Sequence, residues 1–213
     1  MRAESTVGVV VFEGFEELDA VGPYDVLQTA AREGAPVTTE LLVVDETDLV
    51  TASKGLRVEP DGVLAVADAD APDVLVVPGG GWNSREESGA WAEAERGVLP
   101  DRIAACHEQG TTVASVCTGG MILDRAGLLD GRPAVTHGGA LSDLREGKAD
   151  VVDARVVDDG DVLTCGGVTA GIDLALWLVE REWGADVAAA VATELEYERS
   201  QDVYRTENSR RSE

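Results

Sequence analysis

The chain has 213 residues, of which 44% are hydrophobic, and its 41 acidic and 17 basic side chains give a formal net charge of −24. The length suits one α/β domain, and the negative charge argues against nucleic acid as a partner, because binding phosphates requires a positive field. There is no apolar run of the roughly 18 residues that a membrane span needs, no signal-peptide pattern and no disulfide framework among the three cysteines, so we expect no membrane contact and a cytoplasmic location.

The first half of the chain alternates strand and helix patterns. Short β-branched runs predict strands, and longer runs of helical periodicity predict helices. Pro23 is expected at a break or in the first turn of the first helix. In chain order we predict a strand at 6–12, a helix at 16–32, a strand at 37–44, a hairpin at 49–60 around Lys54-Gly55, a strand at 73–77, and a helix at 88–109 interrupted near Gly97 and Pro100.

The second half continues this alternation. Its predicted elements are a strand at 111–116, a helix at 121–129, an antiparallel pair at 150–158 and 161–164 joined by Asp159-Gly160, and helices at 171–182 and 185–200. The fold class is therefore α/β: a flavodoxin-like three-layer sandwich with a mostly parallel central sheet, plus a β hairpin. We expect a single domain over 1–200 and a polar, frayed C-terminal tail over 201–213.

The basic residues include only two lysines, Lys54 and Lys148. An acidic, lysine-poor surface resembles that of proteins from high-salt cytoplasm, where a Debye length of ~3 Å at 1 M screens self-repulsion. The composition therefore predicts a halophilic protein whose stability depends on KCl. The alternative is an ordinary acidic protein whose stability does not.

The stretch VASVCTGGM indicates a strand that turns sharply into a helix, with Cys117 at the corner. A sulfur at a helix N-terminus lies near unpaired N–H groups and the positive end of the dipole, so this position predicts a nucleophile with a pKa below the usual value of about 8.5. The alternative is a buried core cysteine at the end of a strand.

Two other loops should lie at the same edge of the sheet, beyond the carboxyl ends of the strands. The VPGGG loop at 77–81 could hold a developing negative charge with the N–H groups of Cys117 or Thr118, or it could be a plain tight turn or a phosphate loop. Asp19 follows the first strand. If its carboxyl stays protonated it can donate a hydrogen bond to sulfur and act as a general acid. Spacing alone does not choose among Asp19, Glu16 and Glu17.

The chain has two histidines. His137 lies in AVTHGG and could activate Cys117, since Cys–His pairs are a common arrangement, although a turn histidine is more often structural. His107 has no such context, and Cys165 is interpreted as a packing residue. The histidines and cysteines lack metal-ligand spacing, so we expect no metal.

Five motifs in order resemble the ThiJ/PfpI superfamily, whose domain is similar to class I glutamine amidotransferases: GFEELDAVGPYDVL, VLVVPGGG, SVCTGG, AGLLDGRPAVTH and GGVTAGIDLAL. The likeness covers about 7–200. The Cys-Thr pair, LDAVGP and VTAGIDLAL look most like the isonitrile hydratase branch, and the same form occurs in the N-terminal domain of AraC-type regulators.

The resemblance implies roles for matched positions. Cys117 would be the nucleophile, Asp19 its paired acid and Thr118 a neighbour implicated in catalysis. Gly80, with Gly81 beside it and the Thr118 N–H, would form the oxyanion-type pocket, and His137 would lie near it. No histidine follows Cys117 and no late His-x-Glu pair is present, which disfavours peptidase and glutaminase activities. The glycines after His137 replace a bulky aromatic and imply a wider pocket.

Three functions follow from these observations. The first is cofactor-free hydration of an isonitrile to an N-substituted formamide; the second is attack by the same thiolate on an α-oxoaldehyde. The third is a non-catalytic ligand or redox sensor, which is disfavoured because the chain ends soon after Ser200 without a helix-turn-helix pair. We expect a small-molecule substrate and a homodimer.

Overall fold

The computed structural model describes residues 5–66 and 71–207. The described strands in chain order are β1 (Ser5–Val10), β2 (Val37–Val43), β3 (Val50–Thr51), β4 (Arg57–Val58), β5 (Gly62–Val63), β6 (Val74–Val77), β7 (Thr112–Ser115), β8 (Pro133–Ala134), β9 (Asp150–Val151), β10 (Val156–Asp158), β11 (Val162–Cys165) and β12 (Val203–Arg205). The described helices are α1 (Glu17–Arg32), α2 (Ala90–Arg96), α3 (Val98–Glu108), α4 (Gly119–Arg125), α5 (Leu141–Glu146), α6 (Ala170–Trp183) and α7 (Ala185–Glu194), with a 3₁₀ turn at Gly138–Ala140.

An eight-stranded sheet has the order β12-β10-β11-β7-β6-β1-β2-β5. The strands from β11 to β5 run parallel, whereas β10 is antiparallel to β11 and β12 follows β10. Helices α1, α6 and α7 pack together over one face, and α2, α3 and α4 pack together over the other. The predicted α/β class with a mostly parallel, covered sheet is confirmed.

The central strands are mostly apolar, because both faces of the sheet are covered. Every residue of β6 is buried, and so are the last four of β1. The strand order reverses between β1 and β6, because β2 lies on one side of β1 and β6 on the other. In open α/β sheets such a switch point opens a crevice at the carboxyl ends.

One helix prediction needed correction at a proline, and a predicted helix interruption was confirmed at a glycine. Pro23 lies inside α1 without a break. Since proline has no N–H, the Asp19 carbonyl four residues earlier loses its helical partner there. The predicted break in 88–109 is at Gly97, whose φ of 79° is left-handed, while Pro100 lies in the first turn of α3.

The C-terminal predictions were partly wrong. The helix predicted at 185–200 ends at Glu194, and Glu196 adopts a φ of 47°. Instead of fraying from Gln201, the chain forms β12, which pairs parallel with β10 as Val156↔Val203. The Asp202 carboxylate accepts a hydrogen bond from the Arg155 N–H at 2.9 Å and holds this edge strand in place. Residues 208–213 lie outside the described residues.

The two predicted hairpins have different outcomes. The pair β3–β4 forms the hairpin predicted at 49–60, and the parallel strand β5 after it was not predicted. The pair β10–β11 forms across Asp159-Gly160 as expected, with Asp159 N–H bonded to Val162 O at 3.0 Å. The start of the predicted strand at 150–158 instead pairs with β8 in a separate two-stranded sheet, as β9.

Candidate active site

The carboxyl ends of β1, β6, β7 and β11 meet at one edge of the sheet, and the loops after them are hydrogen bonded to one another. The Gly79 N–H donates to the Asp19 carboxylate at 3.0 Å. The Cys117 N–H donates to Gly166 O at 2.9 Å. The loops after β1, β6 and β7 therefore converge as predicted. The loop after β11, which begins the GGVTAGIDLAL motif, adds a fourth wall to which no site residue was assigned.

Cys117 occupies a strained corner between β7 and α4. Its φ of 57° is in the left-handed region, which non-glycine residues rarely adopt and which clusters at functional sites. Thr118 is the N-cap residue of α4. The helix starts so close to β6 that a Cβ on Gly119 would lie 2.2 Å from Val77 O. The predicted strand-to-helix elbow is therefore present, and Cys117 is buried, with 5% of the residue exposed.

Asp19 lies in the first turn of α1 and is fully buried. Its Oδ2 accepts the Gly79 N–H, while its buried Oδ1 makes no well-formed hydrogen bond within the described part of the chain. The Cys117 side chain interacts with this carboxyl. Burial raises the pKa of Asp19 to about 7; the Glu16 carboxylate also raises it, and Gly79 and Lys54 oppose the shift. Asp19 thus has the raised pKa that its proposed acid role requires.

The Cys117 thiol differs from the prediction. Burial, followed by the nearby Asp19 carboxylate, raises its pKa to about 12, although the N–H groups of Val168 and Thr118 act to lower it. The predicted lowering is therefore wrong in direction, because desolvation outweighs the helix N-terminus at a sulfur this buried.

Asp19 and Cys117 act as one titrating unit, because the Asp19 carboxylate raises the pKa of Cys117 and a hydrogen bond with Cys117 lowers the pKa of Asp19. Over a wide range around and above neutral pH this pair holds a single proton. When the proton is on sulfur, the site contains a thiol and a carboxylate. When it moves to Asp19, the site contains a thiolate beside a carboxylic acid. The N–H groups of Thr118 and Val168 at the sulfur stabilise this second form.

The structure also separates the three acids that spacing could not. The Lys54 ammonium pairs with Glu16. Glu17 accepts hydrogen bonds from the Ser53 hydroxyl at 2.9 Å and from the Lys54 N–H at 2.5 Å. Both glutamates therefore hold the tip of the β3–β4 hairpin against α1, and of the three it is Asp19 that interacts with the thiol.

The glycine loop and Thr118 lock together. The Gly80 N–H donates to Thr118 Oγ1 at 2.9 Å, so this predicted oxyanion donor is already engaged. A Cβ on Gly79 would lie 2.4 Å from the same hydroxyl. Gly81 turns away at a φ of 67°, and its carbonyl accepts the Glu86 N–H at 3.1 Å. Thr118 and Gly80 thus belong to the site wall, whereas the contacts described for Gly81 do not include Cys117.

His137 lies one loop away from the sulfur. Its Nδ1 accepts the Gly139 N–H at 3.0 Å and lies 3.4 Å from the Asn83 amide nitrogen. The neutral ring therefore carries its proton on Nε2. A Cβ on Gly167 would be 3.0 Å from the imidazole, and the neighbouring Val168 N–H contacts the Cys117 sulfur. His137 borders the site through this loop.

Further residues near the site were missed or undervalued. Cys165 is fully buried and interacts electrostatically with Asp19 and Cys117, so it lies beside the pair rather than in remote packing. The Thr136 hydroxyl donates to Cys117 O at 2.8 Å and supports the corner. His107 instead contacts Asp161 at 2.9 Å. The VTAGIDLAL motif includes part of the loop after β11, but the sequence pattern alone did not assign a role to any residue of that loop.

Within 5–66 and 71–207, no three histidine, cysteine or carboxylate side chains are grouped to hold a metal ion. None of the helices described there has the length and apolar character needed to cross a bilayer. The arrangement supports nucleophile and acid–base chemistry at sulfur and carboxyl.

Comparison with known proteins places this geometry among relatives. The model of the DJ-1/PfpI family matches residues 5–181. The isonitrile hydratase of Pseudomonas putida is 38% identical over 90% of this chain and 78% of its own. A Parkinson disease protein 7 homolog of Danio rerio is 34% identical over 88% of this chain and 94% of its own.

Two other matches widen the range of relatives. The HTH-type transcriptional regulator GbdR of Pseudomonas aeruginosa is 33% identical over 70% of this chain, but the match spans only 39% of the regulator. The crystal structure of a ThiJ/PfpI family protein from Pseudomonas syringae superposes with a TM-score of 0.79 and 26% identity, over 93% of this chain and 77% of that one. Similar folds thus occur in an enzyme and in a regulator.

Proposed function

The chain belongs to the DJ-1/PfpI family, and we propose that within it the Cys117–Asp19 pair hydrates isonitriles to N-substituted formamides. The observation that carries the proposal is the buried Asp19, whose free oxygen and raised pKa accompany an elbow cysteine. The 38% identity to an isonitrile hydratase supports the same reaction class.

The reaction would use the single proton of the pair. The proton moves from sulfur to Asp19, and the resulting thiolate attacks the terminal isonitrile carbon to form a C–S bond. Asp19 then protonates that carbon, which gives a thioimidate on Cys117. Asp19 takes a proton from the water that adds to the thioimidate carbon and passes it to nitrogen. The hydroxyl of this tetrahedral adduct then gives its proton to Asp19, the C–S bond breaks, and the formamide leaves as the site returns to its acid–thiolate form. The net change is the addition of one water, with no redox step and no cofactor.

Access to the sulfur favours a narrow substrate. Cys117 is 5% exposed, and a terminal N≡C group is linear, so its carbon can approach through an opening that a broader acyl group would block. Thr118 fixes the Gly80 loop beside the sulfur. Because Asp19 must be ionised to accept the thiol proton, we expect turnover to rise with pH through about 7.

The test is ultraviolet monitoring of a panel of aryl and alkyl isonitriles, with formamide identified chromatographically. The wild type should turn over at least one of them, Cys117→Ala should be inactive, and Cys106→Ala should retain activity because Cys106 lies elsewhere in the core and contacts Ala65 O. Absence of turnover across the panel by folded wild type would refute the proposal.

The regulator relative supports a second candidate, a non-catalytic ligand sensor. In that case isonitriles or other small molecules would bind near Cys117 without being consumed.

α-Oxoaldehydes belong in the same panel of substrates. Lactate formed without glutathione and in the presence of a chelator would assign the thiol to carbonyl chemistry instead.

The remaining properties are also proposals. We propose a cytoplasmic homodimer with a small-molecule substrate and no nucleic-acid or membrane partner, since the net charge is −24 and symmetric dimers are the commonest oligomers. Light scattering at high salt tests the dimer, and unfolding from low to molar KCl tests the halophilic character. A monomer, or stability independent of salt, would contradict them.

A further inference from the structure

A cavity that does not include Cys117 or Asp19 opens at the carboxyl ends of β1 and β2, next to the switch point of the sheet. Its volume is about 180 Å³. Apolar side chains form most of its wall: Val11, Phe12, Val43, Val44 and Val50. The Cys117–Asp19 chemistry uses none of these residues.

The other five lining residues are polar, and three of them are acidic: Glu13, Asp45, Thr47, Glu93 and Arg96. Glu93, from α2, is 5% exposed, and Arg96 is the only hydrogen-bonding partner of its carboxylate within the described residues, at 2.8 Å from Oε1. Glu13 and Asp45 also line the cavity. The lining thus includes three carboxylates and one guanidinium. The Glu13 carboxylate also accepts the Thr51 N–H at 3.1 Å, and the Arg96 side chain is 57% exposed.

A buried carboxylate against an apolar wall is costly unless a positive partner compensates it. Arg96 engages one oxygen of Glu93, Oε1, at helical i,i+3 spacing. Within the described residues the second oxygen, Oε2, has no hydrogen-bonding partner, and Glu93 lines the cavity. A ligand that combines a positive nitrogen with an apolar body would satisfy both parts of this wall.

We propose that this cavity is a binding site for a small organic cation, a protonated primary amine whose ammonium bonds Glu93 and whose apolar body packs on the valines. The size fits, because an apolar cavity of about 150 Å³ accommodates benzene. The net negative charge of the lining selects the ammonium over a carboxylate of the same shape. The proposal stands on Glu93 and the cavity, independently of the isonitrile reaction.

The experiment uses three probes of one shape at constant ionic strength: benzylamine, benzyl alcohol and benzoate, each titrated by calorimetry into the full chain. Benzylamine should bind saturably, benzyl alcohol at least tenfold more weakly, and benzoate not measurably. Glu93→Gln should weaken benzylamine binding at least tenfold. Glu95→Gln, on the same helix but exposed and paired with Arg125, should not change it.

A second variant tests the proposal independently in case Glu93→Gln does not fold. Val44 is only half-buried, so Val44→Phe should fill the mouth of the cavity without disturbing the core, and it should abolish binding of both benzylamine and benzyl alcohol. Circular dichroism checks that each variant is folded. The proposal is overturned if folded wild type does not bind benzylamine, or if folded Glu93→Gln or Val44→Phe binds it as wild type does.

Discussion

Two buried aspartates lie in the first turns of two helices that pack against each other, and their surroundings give them different roles. Asp19 in α1 is fully buried and Asp173 in α6 is 2% exposed. The Asp173 carboxylate accepts hydrogen bonds from Arg155 at 2.5 Å, the Tyr197 hydroxyl at 2.9 Å and the Ser200 N–H at 2.8 Å. The neighbourhood of Asp19 supplies one N–H, from Gly79, and a thiol.

The difference shows which surroundings suit a buried carboxylate to proton transfer and which give it a structural role. A cation and several donors hold Asp173 in place and tie the C-terminal segment to α6. With one donor and no direct cation, Asp19 is left with an elevated pKa and can exchange a proton with Cys117. Burial is nearly equal, so the partners decide the role.

The largest contrast is expected from Asp19→Asn. The amide has nearly the same shape but cannot exchange a proton, so isonitrile turnover should fall by about 10²–10⁴-fold, the range for a lost general acid–base group. The folded state should persist, because the amide keeps the shape of the carboxyl group and places no charge in the buried site. Asp25→Asn, on the exposed face of the same helix, is the matched control. Equal activity in the two variants would remove Asp19 from the chemistry.

The converse change is Arg155→Met at the structural aspartate. It leaves Asp173 buried without its cation and should lower the free energy of unfolding by about 3 kcal/mol, at the low end for a broken buried pair because Arg155 is one-third exposed. Turnover per folded molecule should stay near wild type. Denaturant unfolding measures the first effect, with the exposed Arg57→Met as control. Loss of turnover in a fully stable Arg155→Met protein would mean that Asp173 takes part in the reaction.

A smaller effect should come from Gly79→Ala, which tests how the loop holds Asp19. The added methyl would lie 2.4 Å from Thr118 Oγ1, so the loop must shift. We expect a loss of stability of about 1–3 kcal/mol, typical of overpacking, together with reduced turnover because the Gly79 N–H moves away from Asp19. Gly62→Ala, whose methyl would meet Leu42 at 3.8 Å, serves as control. Equal changes in stability and turnover for Gly79→Ala and Gly62→Ala would argue against close packing of the Gly79 loop on Thr118.

The smallest predicted change is a shift in the pH profile caused by Lys54→Met. Lys54 lowers the pKa of Asp19 and pairs with Glu16, whose carboxylate raises it. Removing the ammonium should therefore move the midpoint of the rate profile to higher pH, by less than about one unit because the Lys54 side chain is 64% exposed and solvent screens its charge. Lys148→Met, at the other lysine, should leave the midpoint in place. A shift to lower pH would contradict the assignment.

Local sequence patterns predicted much of this architecture, since alternating apolar runs define strands and helices, and VASVCTGGM marks the corner at Cys117. The environment of the acid was not accessible in the same way. The Asp19–Gly79 hydrogen bond joins residues 60 positions apart, and the burial that raises the pKa of Asp19 and Cys117 depends on how α1 and the loops pack. For the same reason a helix-terminus argument gave the wrong direction for the thiol.

The pairing of the edge strand β12 could not be predicted from the sequence either. The strand β12 is three residues long and lies in a polar segment, so its pairing with β10 depends on long-range contacts such as Asp202 with Arg155. Of three acids spaced within four residues, two are removed from the thiol by Lys54 and Ser53, which lie 36 to 38 positions away. Such choices follow from tertiary structure rather than from periodicity.

The central claim is that Asp19 keeps its proton until close to neutral pH. Infrared difference spectra of wild type minus Asp19→Asn, recorded from pH 4 to 9, report the carbonyl stretch of the protonated carboxylic acid directly. We predict a band that is present at pH 5 and disappears with a midpoint near 7. A band already lost by pH 5, as for an ordinary aspartate with a pKa of about 3.9, would contradict the account.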